Sequence, residues 1–201
     1  MDTFTTQELR ALRRLNTPHK IQEFLNQLPY HLADTVYSPR KVLREKTAHC
    51  FEGALFAAAA FRVNGFEPLL MDLEADETDT DHVLAIYREN GVWGAVATSN
   101  YPGCRGRPAI YRTLRELALS YFNDYFSPRR RLTLRKYSSP VNLKRFDNLG
   151  WMTAEKSLWY IEEYLLQIPH KDLLTKKMIK ALPRIDERAF VAGSYGKRSK
   201  K

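Results

Sequence analysis

The chain has 201 residues, of which 44% are hydrophobic, so it can form one well-cored domain, alone or with an appended subdomain. Its two cysteines are too few for a disulfide scaffold, and their spacing lacks the paired pattern of a structural zinc site. No apolar run approaches the roughly 20 residues that a membrane helix needs, and residues 1–10 lack the features of a secretory signal. We therefore expect a soluble, cytoplasmic protein with no membrane partner.

The formal net charge of +9 is unevenly distributed along the chain. Basic residues crowd residues 40–46 and 129–136, and residues 191–201 are predicted to be a disordered basic tail. Acidic residues cluster in residues 72–81. That run lacks the glycine and terminal glutamate of a calcium loop, so it predicts a solvated loop, and no metal or other cofactor is expected.

Aromatic residues accompany one of the basic segments. Tyr125, Phe126 and Tyr137 lie close in sequence to residues 129–136, which is the mixture that single-stranded nucleic acids bind. The segment matches no named nucleic-acid motif. Nucleic acid is thus a possible partner, but a solvated, solubilising surface is favoured.

Helices are predicted at the start of the chain. Thr5 and Glu8 have the spacing of a capping box, and Pro18 suits the first turn of a second helix. Residues 1–36 are therefore predicted to form a helical preface to a core of residues 37–126.

The predicted core contains a long helix followed by strands. An alanine-rich helix begins near Cys50 and is expected to end at Asn64 and Gly65. Hydrophobicity of period two then predicts three strands, the last two joined by a tight hairpin at Asn90 and Gly91; their sequences are FEPLLMDLEA, HVLAIYRE and VWGAVATS.

The second half of the chain adds further helices and a strand. Thr113 opens a predicted helix, and residues 127–190 are predicted to form a strand and helices packed on the core. The expected fold class is α+β, with the cysteine-bearing helix packed on an antiparallel sheet and with helices at both ends of the chain.

Cys50 stands at the head of the alanine-rich helix. Unpaired N–H groups and the partial positive charge of a helix N-terminus stabilise a thiolate and can lower a cysteine pKa from about 8.5 to roughly 3.5–7.5. Ala54 and Ala57 follow on the same face, which can therefore lie close to a sheet. A buried structural cysteine fits that face equally well.

His82 opens a strand of the hairpin expected to pack on this helix, where its imidazole can take a proton from the thiol. Asn100 or Ser99, at the end of the neighbouring strand, can orient the ring, although a strand cap explains either residue as simply. The backbone N–H of Cys50 is a candidate oxyanion donor, and the second donor is not visible in the sequence.

Other residues near these positions have simpler interpretations. His49 is predicted to be a cap or an exposed residue, and Glu52 suits the dipole of the first helical turn. Trp93 either fills the core or lines an acyl site.

The run HCFEGALFAAAAFRVNGFEPLLM…DHVLAIYRENGVWGAVATSNY resembles the core of the transglutaminase-like superfamily, over about residues 37–125. More narrowly, it is similar to an uncharacterised bacterial branch of that superfamily. The resemblance implies a papain-like fold with Cys50 as nucleophile and His82 as base. Ala97 stands where transglutaminases commonly carry an aspartate, so Asn100 is expected to orient the ring, as in Cys-His-Asn sets.

The predicted function is therefore cysteine-dependent acyl chemistry on a peptide or protein amide, by a hydrolase or an acyltransferase. Cys50, His82 and Asn100 are the expected catalytic residues, and Trp93 and Ser99 are the expected substrate contacts. The alternatives are a catalytically inactive transglutaminase-like binding protein and a basic nucleic-acid-binding module.

Overall fold

The computed structural model describes residues 3–197, in which the chain forms eight α-helices and seven β-strands. The helices are α1 Thr6–Arg14, α2 Pro18–Gln27, α3 Pro39–Glu45, α4 Cys50–Val63, α5 Leu114–Leu119, α6 Trp159–Gln167, α7 Lys176–Ala181 and α8 Glu187–Gly193. The strands are β1 Leu69–Ala75, β2 His82–Glu89, β3 Val92–Val96, β4 Arg107–Tyr111, β5 Leu134–Ser138, β6 Val141–Asn142 and β7 His170–Asp172. Short 3₁₀ helices span Pro102–Cys104, Phe122–Asp124 and Leu143–Leu149.

The strands form one antiparallel sheet in the order β4-β3-β2-β1-β5-β7, and β6 also pairs with β1. The predicted hairpin is confirmed, because Glu89 pairs with Val92 across Asn90 and Gly91. Both turn residues have positive φ, at 50° and 82°, as a two-residue hairpin of this kind requires. The α+β class with an antiparallel sheet is thus confirmed.

Helix α4 lies at the centre of the molecule. Residues 51–61 are all buried, because one side of the helix packs on β2 and the remainder is covered by α1, α2 and α3. An apolar surface all round a helix is typical of such a buried position. The helix ends as predicted, with Asn64 as C-cap and Gly65 at a φ of 88°.

The sheet separates two hydrophobic clusters. Leu70 and Val83 face α4, whereas Leu73 and Leu84 face the α5 side of the sheet. Successive strand residues point to opposite faces, so Asp72 lies on the α4 side and His82 on the α5 side. Both residues stand at the end of the β1–β2 pair that lies nearest to the acidic loop 76–81.

Two regions differ from the sequence predictions. Residues 107–111, for which the sequence predicts no strand, form the edge strand β4, where Pro108 is tolerated because an edge strand need not donate every backbone N–H. The predicted disorder from residue 191 is wrong for residues 191–193, which complete α8. The rest of the basic tail, residues 198–201, lies outside the described residues.

The C-terminal region extends the same sheet. β5 pairs with β1 and β7 pairs with β5, so the strand predicted within residues 127–190 packs on the core. Across residues 3–197, no helix combines the length and apolar character needed to cross a bilayer.

Candidate active site

Cys50 is the first residue of α4 and is half-buried. Its thiol lies where two cavities meet, one of about 280 Å³ and one of about 510 Å³. Tyr30 and residues 79–81 line both cavities together with Cys50. The thiol is thus placed to meet a molecule that enters from either cavity.

His82, the first residue of β2, interacts with this thiol from the far side of the sheet. Its buried ring packs edge-on against Tyr121 and Tyr125, and its Nε2 lies 2.8 Å from the carbonyl oxygen of Cys104. A carbonyl only accepts hydrogen bonds, so Nε2 carries the proton and Nδ1 is left as the basic nitrogen. Cys50 and His82 both line the smaller cavity, and their predicted roles as nucleophile and base stay predictions.

The ring is oriented by a main-chain group. At Nε2 the ring contacts the Cys104 carbonyl, which the 3₁₀ helix Pro102–Cys104 turns toward β2. The orienting role predicted for the Asn100 side chain stays a prediction. Asn100 and Ser99 both line the smaller cavity. The Ser99 hydroxyl oxygen accepts the backbone N–H of Tyr101 at 3.0 Å, so this residue shapes the turn.

His49 is the N-cap of α4, one of the roles predicted for it, and it is also a second imidazole at the thiol. Its side chain is only 16% exposed, and its Nε2 lies 2.5 Å from the carbonyl oxygen of Thr35. As N-cap it has extended backbone, with φ −92° and ψ −176°. The helical rule that adjacent side chains diverge therefore does not apply between His49 and Cys50.

A fully buried carboxylate supports this arrangement. Glu52 accepts the backbone N–H of His49 at 3.1 Å and of Tyr37 at 2.9 Å, and also the Thr35 hydroxyl at 2.7 Å. His31 Nδ1 donates to the same carboxylate at 2.9 Å. Buried charge requires such partners, so Glu52 is more than a dipole-complementing residue of the first turn. It ties the segment 31–37 to the start of α4.

The two imidazoles change the acidity of the thiol. Burial acts to raise the pKa of Cys50, but interactions with the rings of His49 and then His82 outweigh it and lower the pKa to about 5. Burial acts to lower the pKa of His49, but the Cys50 thiol and the Glu52 carboxylate raise it to about 9. Between about pH 5 and pH 9 the site therefore holds a thiolate beside an imidazolium.

A buried acid–base pair lies nearby and was not found in the sequence. Asp72 lines the larger cavity, and its Oδ2 is 2.9 Å from Nε2 of His170 on β7. His170 Nδ1 lies 2.9 Å from the carbonyl oxygen of Ile168, so both ring nitrogens act as donors. Burial raises the pKa of Asp72 despite this partner, and the Asp72 bond raises the pKa of His170. The pair adds a carboxylate close to His82.

Trp93 and Cys104 have structural positions. Trp93 lies at the opposite end of β3 from Ser99, where the Arg88 guanidinium is 5.4 Å from its ring centroid. It therefore belongs to the packing of the sheet, and the substrate contact predicted for it stays a prediction. Cys104 is a free, buried thiol whose pKa is raised to about 12 by burial.

The basic segment 129–136 is paired with the acidic loop. Arg135 Nη2 lies 2.5 Å from Asp76, and Lys136 Nζ lies 2.5 Å from Glu74. Arg130 pairs with Glu187 of α8. Much of the positive charge that suggested a nucleic-acid surface is thus balanced within the fold.

No group of three or more His, Cys, Asp or Glu side chains within residues 3–197 is arranged to hold a metal ion. A scan against models of protein families found no match, and a search of curated proteins found no similar sequence. The function of the protein is therefore inferred from the geometry around Cys50.

Proposed function

We propose that this protein catalyses cysteine-dependent acyl transfer from an amide, as a hydrolase or an acyltransferase with a papain-like, transglutaminase-like core. The observation that carries the proposal is the meeting of two side chains. Cys50, at the N-terminus of α4, interacts with His82, whose Nε2 is held 2.8 Å from the Cys104 carbonyl oxygen. A nucleophile, a base and a group that orients the base are the parts that nucleophilic catalysis needs.

The reaction begins from the Cys50 thiolate, whose proton His82 Nδ1 has already taken, and the sulfur attacks the carbonyl carbon of the amide. A C–S bond forms, and the π electron pair of the carbonyl moves to its oxygen. As this pair returns, the C–N bond breaks, and His82 gives its proton to the leaving nitrogen. A thioester then remains on Cys50.

The same residue, His82, then acts as general base in the cleavage of the thioester. Neutral His82 takes a proton from water or from an amine, which attacks the thioester carbon; the C–S bond breaks and the Cys50 thiolate is released. Water yields the acid, and an amine yields a new amide. The peptide or protein amide predicted from the sequence is the substrate class that this chemistry serves.

The test uses 4-nitrophenyl acetate as an acyl donor at about pH 7.5. We expect rapid release of 4-nitrophenolate, with peptide mapping placing the acetyl group on Cys50. Cys50→Ser should slow this release by about 100-fold or more, because the hydroxyl is a far weaker nucleophile than the thiolate. Cys104→Ser is the matched control and should leave the rate unchanged, since the thiol is buried and the main-chain carbonyl that contacts His82 is kept.

Added methylamine separates the two forms of the activity. Formation of N-methylacetamide in place of acetate indicates an acyltransferase, and acetate alone indicates a hydrolase. Release that is equal in wild type and Cys50→Ser contradicts the proposal and leaves an inactive, binding protein as the better interpretation.

A further inference from the structure

Tyr30 is held beside the start of α4 by main-chain contacts. Residues 29–31 run parallel to residues 47–49: Tyr30 forms a β-bridge with Ala48, and the His31 N–H donates to the Ala48 carbonyl at 3.1 Å. The Thr47 hydroxyl donates to the Pro29 carbonyl at 2.8 Å. The position of Tyr30 relative to Cys50 is therefore set by backbone structure on both of its sides.

The side chain of Tyr30 reaches the reacting atoms. Tyr30 and Cys50 line both cavities together. The hydroxyl interacts with both the thiol and the backbone N–H of Cys50. Burial and the neighbouring thiol raise the pKa of Tyr30, so the phenol keeps its proton across the neutral range. The hydroxyl is thus a permanent hydrogen-bond donor at the thiol.

Attack of a thiolate on an amide places a negative charge on the carbonyl oxygen, and enzymes stabilise this charge with donors fixed in advance. The Cys50 N–H, at the positive end of α4, is one such donor. We infer that the Tyr30 hydroxyl is the second oxyanion donor of the Cys50 site, an inference that rests on the proposed function.

In the resting protein the Tyr30 hydroxyl lies beside the Cys50 N–H and thiol at the cavities that both residues line. An entering carbonyl oxygen replaces this contact and accepts from both groups. The π electron pair moves to that oxygen during attack and returns when the C–N bond breaks. Tyr30 keeps its proton throughout, because His82 supplies the proton to the leaving nitrogen. Tyr30 is therefore a catalytic residue that binds charge without transferring a proton.

Two reactions of the same thiol test this role in Tyr30→Phe, which keeps the ring and removes the hydroxyl. Acetylation by 4-nitrophenyl acetate passes through an oxyanion, whereas alkylation by iodoacetamide displaces iodide at an sp³ carbon and forms none. At about pH 7.5 the thiolate is fully formed, since the pKa of Cys50 is about 5. We expect acetylation to slow by about 100-fold and alkylation to change by less than about threefold.

Tyr101→Phe is the matched control, because Tyr101 lines the smaller cavity but its hydroxyl bonds Lys197. The rates of Cys50 acetylation and alkylation in Tyr101→Phe should match those of wild type. If Tyr30→Phe unfolds at the same temperature as wild type, the segment 29–31 has kept its place beside α4.

Three outcomes overturn the inference. Equal acetylation of wild type and Tyr30→Phe shows that the hydroxyl does not stabilise the oxyanion, while the proposed function survives. A parallel loss of acetylation and alkylation shows that Tyr30 acts on the thiol itself. Absence of Cys50 acetylation in wild type rejects the proposed function, and this role with it.

Discussion

His49 and His82 contact the same thiol but are held in different ways. His49 is bonded to the Thr35 carbonyl and lies 3.4 Å from the buried Glu52 carboxylate, which stabilises its charged form. His82 has only a neutral carbonyl at Nε2. A ring that stays charged suits the stabilisation of a thiolate, and a ring that can exchange its proton suits general acid–base catalysis. We therefore assign the first role to His49 and the second to His82.

This assignment predicts how alkylation of Cys50 by iodoacetamide depends on pH. In wild type the rate should rise through a midpoint of about pH 5 and then level, following the thiolate. His49→Ala removes the largest stabilising interaction, so the pKa should rise and labelling at pH 6 should slow by about tenfold or more. At about pH 9 or above, where both proteins carry thiolate, the rates should converge.

Asn100→Ala is the comparison variant for this experiment. Both imidazoles remain, and the Cys104 carbonyl still holds His82, so labelling at pH 6 should stay within about twofold of wild type. Peptide mapping should find Cys104 unlabelled at this pH, because burial raises its pKa to about 12. A midpoint near pH 5 in His49→Ala contradicts the division of roles, and a large loss in Asn100→Ala restores the role predicted for that side chain.

Helix α4 positions the nucleophile through a close contact at its first turn. A Cβ atom at Gly53 would lie 2.4 Å from Cγ2 of Thr98, just beyond the end of β3. Only glycine lets the helix approach the sheet this closely without movement of one of them. The contact therefore sets how far the Cys50 thiol stands from the end of the sheet.

Gly53→Ala tests this contact. Helix propensity alone favours alanine by about 1 kcal/mol, but overpacking against Thr98 should more than offset it, giving a net destabilisation of about 1–2 kcal/mol. Denaturant unfolding measures the change, and Cys50 alkylation at pH 6 should slow as the helix start shifts. Adding Thr98→Ser removes the methyl group at 2.4 Å and should recover part of the loss, although Cβ of residue 98 remains at 3.2 Å. A stabilised Gly53→Ala protein contradicts the close approach.

The net charge of +9 arises from a molecule whose charges are interleaved. Asp76 and Glu74 from the acidic run bind Arg135 and Lys136 of the basic segment across β1 and β5. The sequence predicts two separate surface segments, one acidic and one basic. The antiparallel pairing of β1 with β5 brings them together. This arrangement removes much of the positive potential that a nucleic-acid backbone needs.

We therefore expect weak, non-specific binding of nucleic acid. Anisotropy of a labelled single-stranded RNA should give a dissociation constant of about 10⁻⁶–10⁻⁴ M at physiological salt, weakening steeply as salt is added. Glu74→Gln, which frees Lys136, should strengthen binding at low salt by about the contribution of one phosphate contact. Submicromolar binding that persists at physiological salt contradicts this expectation and favours the nucleic-acid alternative.

The features that could be predicted from the sequence depend on residues only a few positions apart. The Thr5–Glu8 capping box, the ends of α4 and the Asn90–Gly91 turn are such features, and all are present in the structure. Local propensity and hydrophobic period are sufficient there because the interactions are short in range. The same signals placed Cys50 at a helix start and His82 at a strand start.

The groups that surround Cys50 and His82 could not be predicted from the sequence and are visible only in the fold. The partner of His82 is a main-chain carbonyl, and every residue has one, so no residue type marks Cys104 for this role. Tyr30 reaches the site through the pairing of residues 29–31 with residues 47–49, and Glu52 is held there by hydrogen bonds to the segment 31–37. Such contacts join parts of the chain that packing around α4 brings together. The number of residues between two positions does not determine the distance between them in the fold.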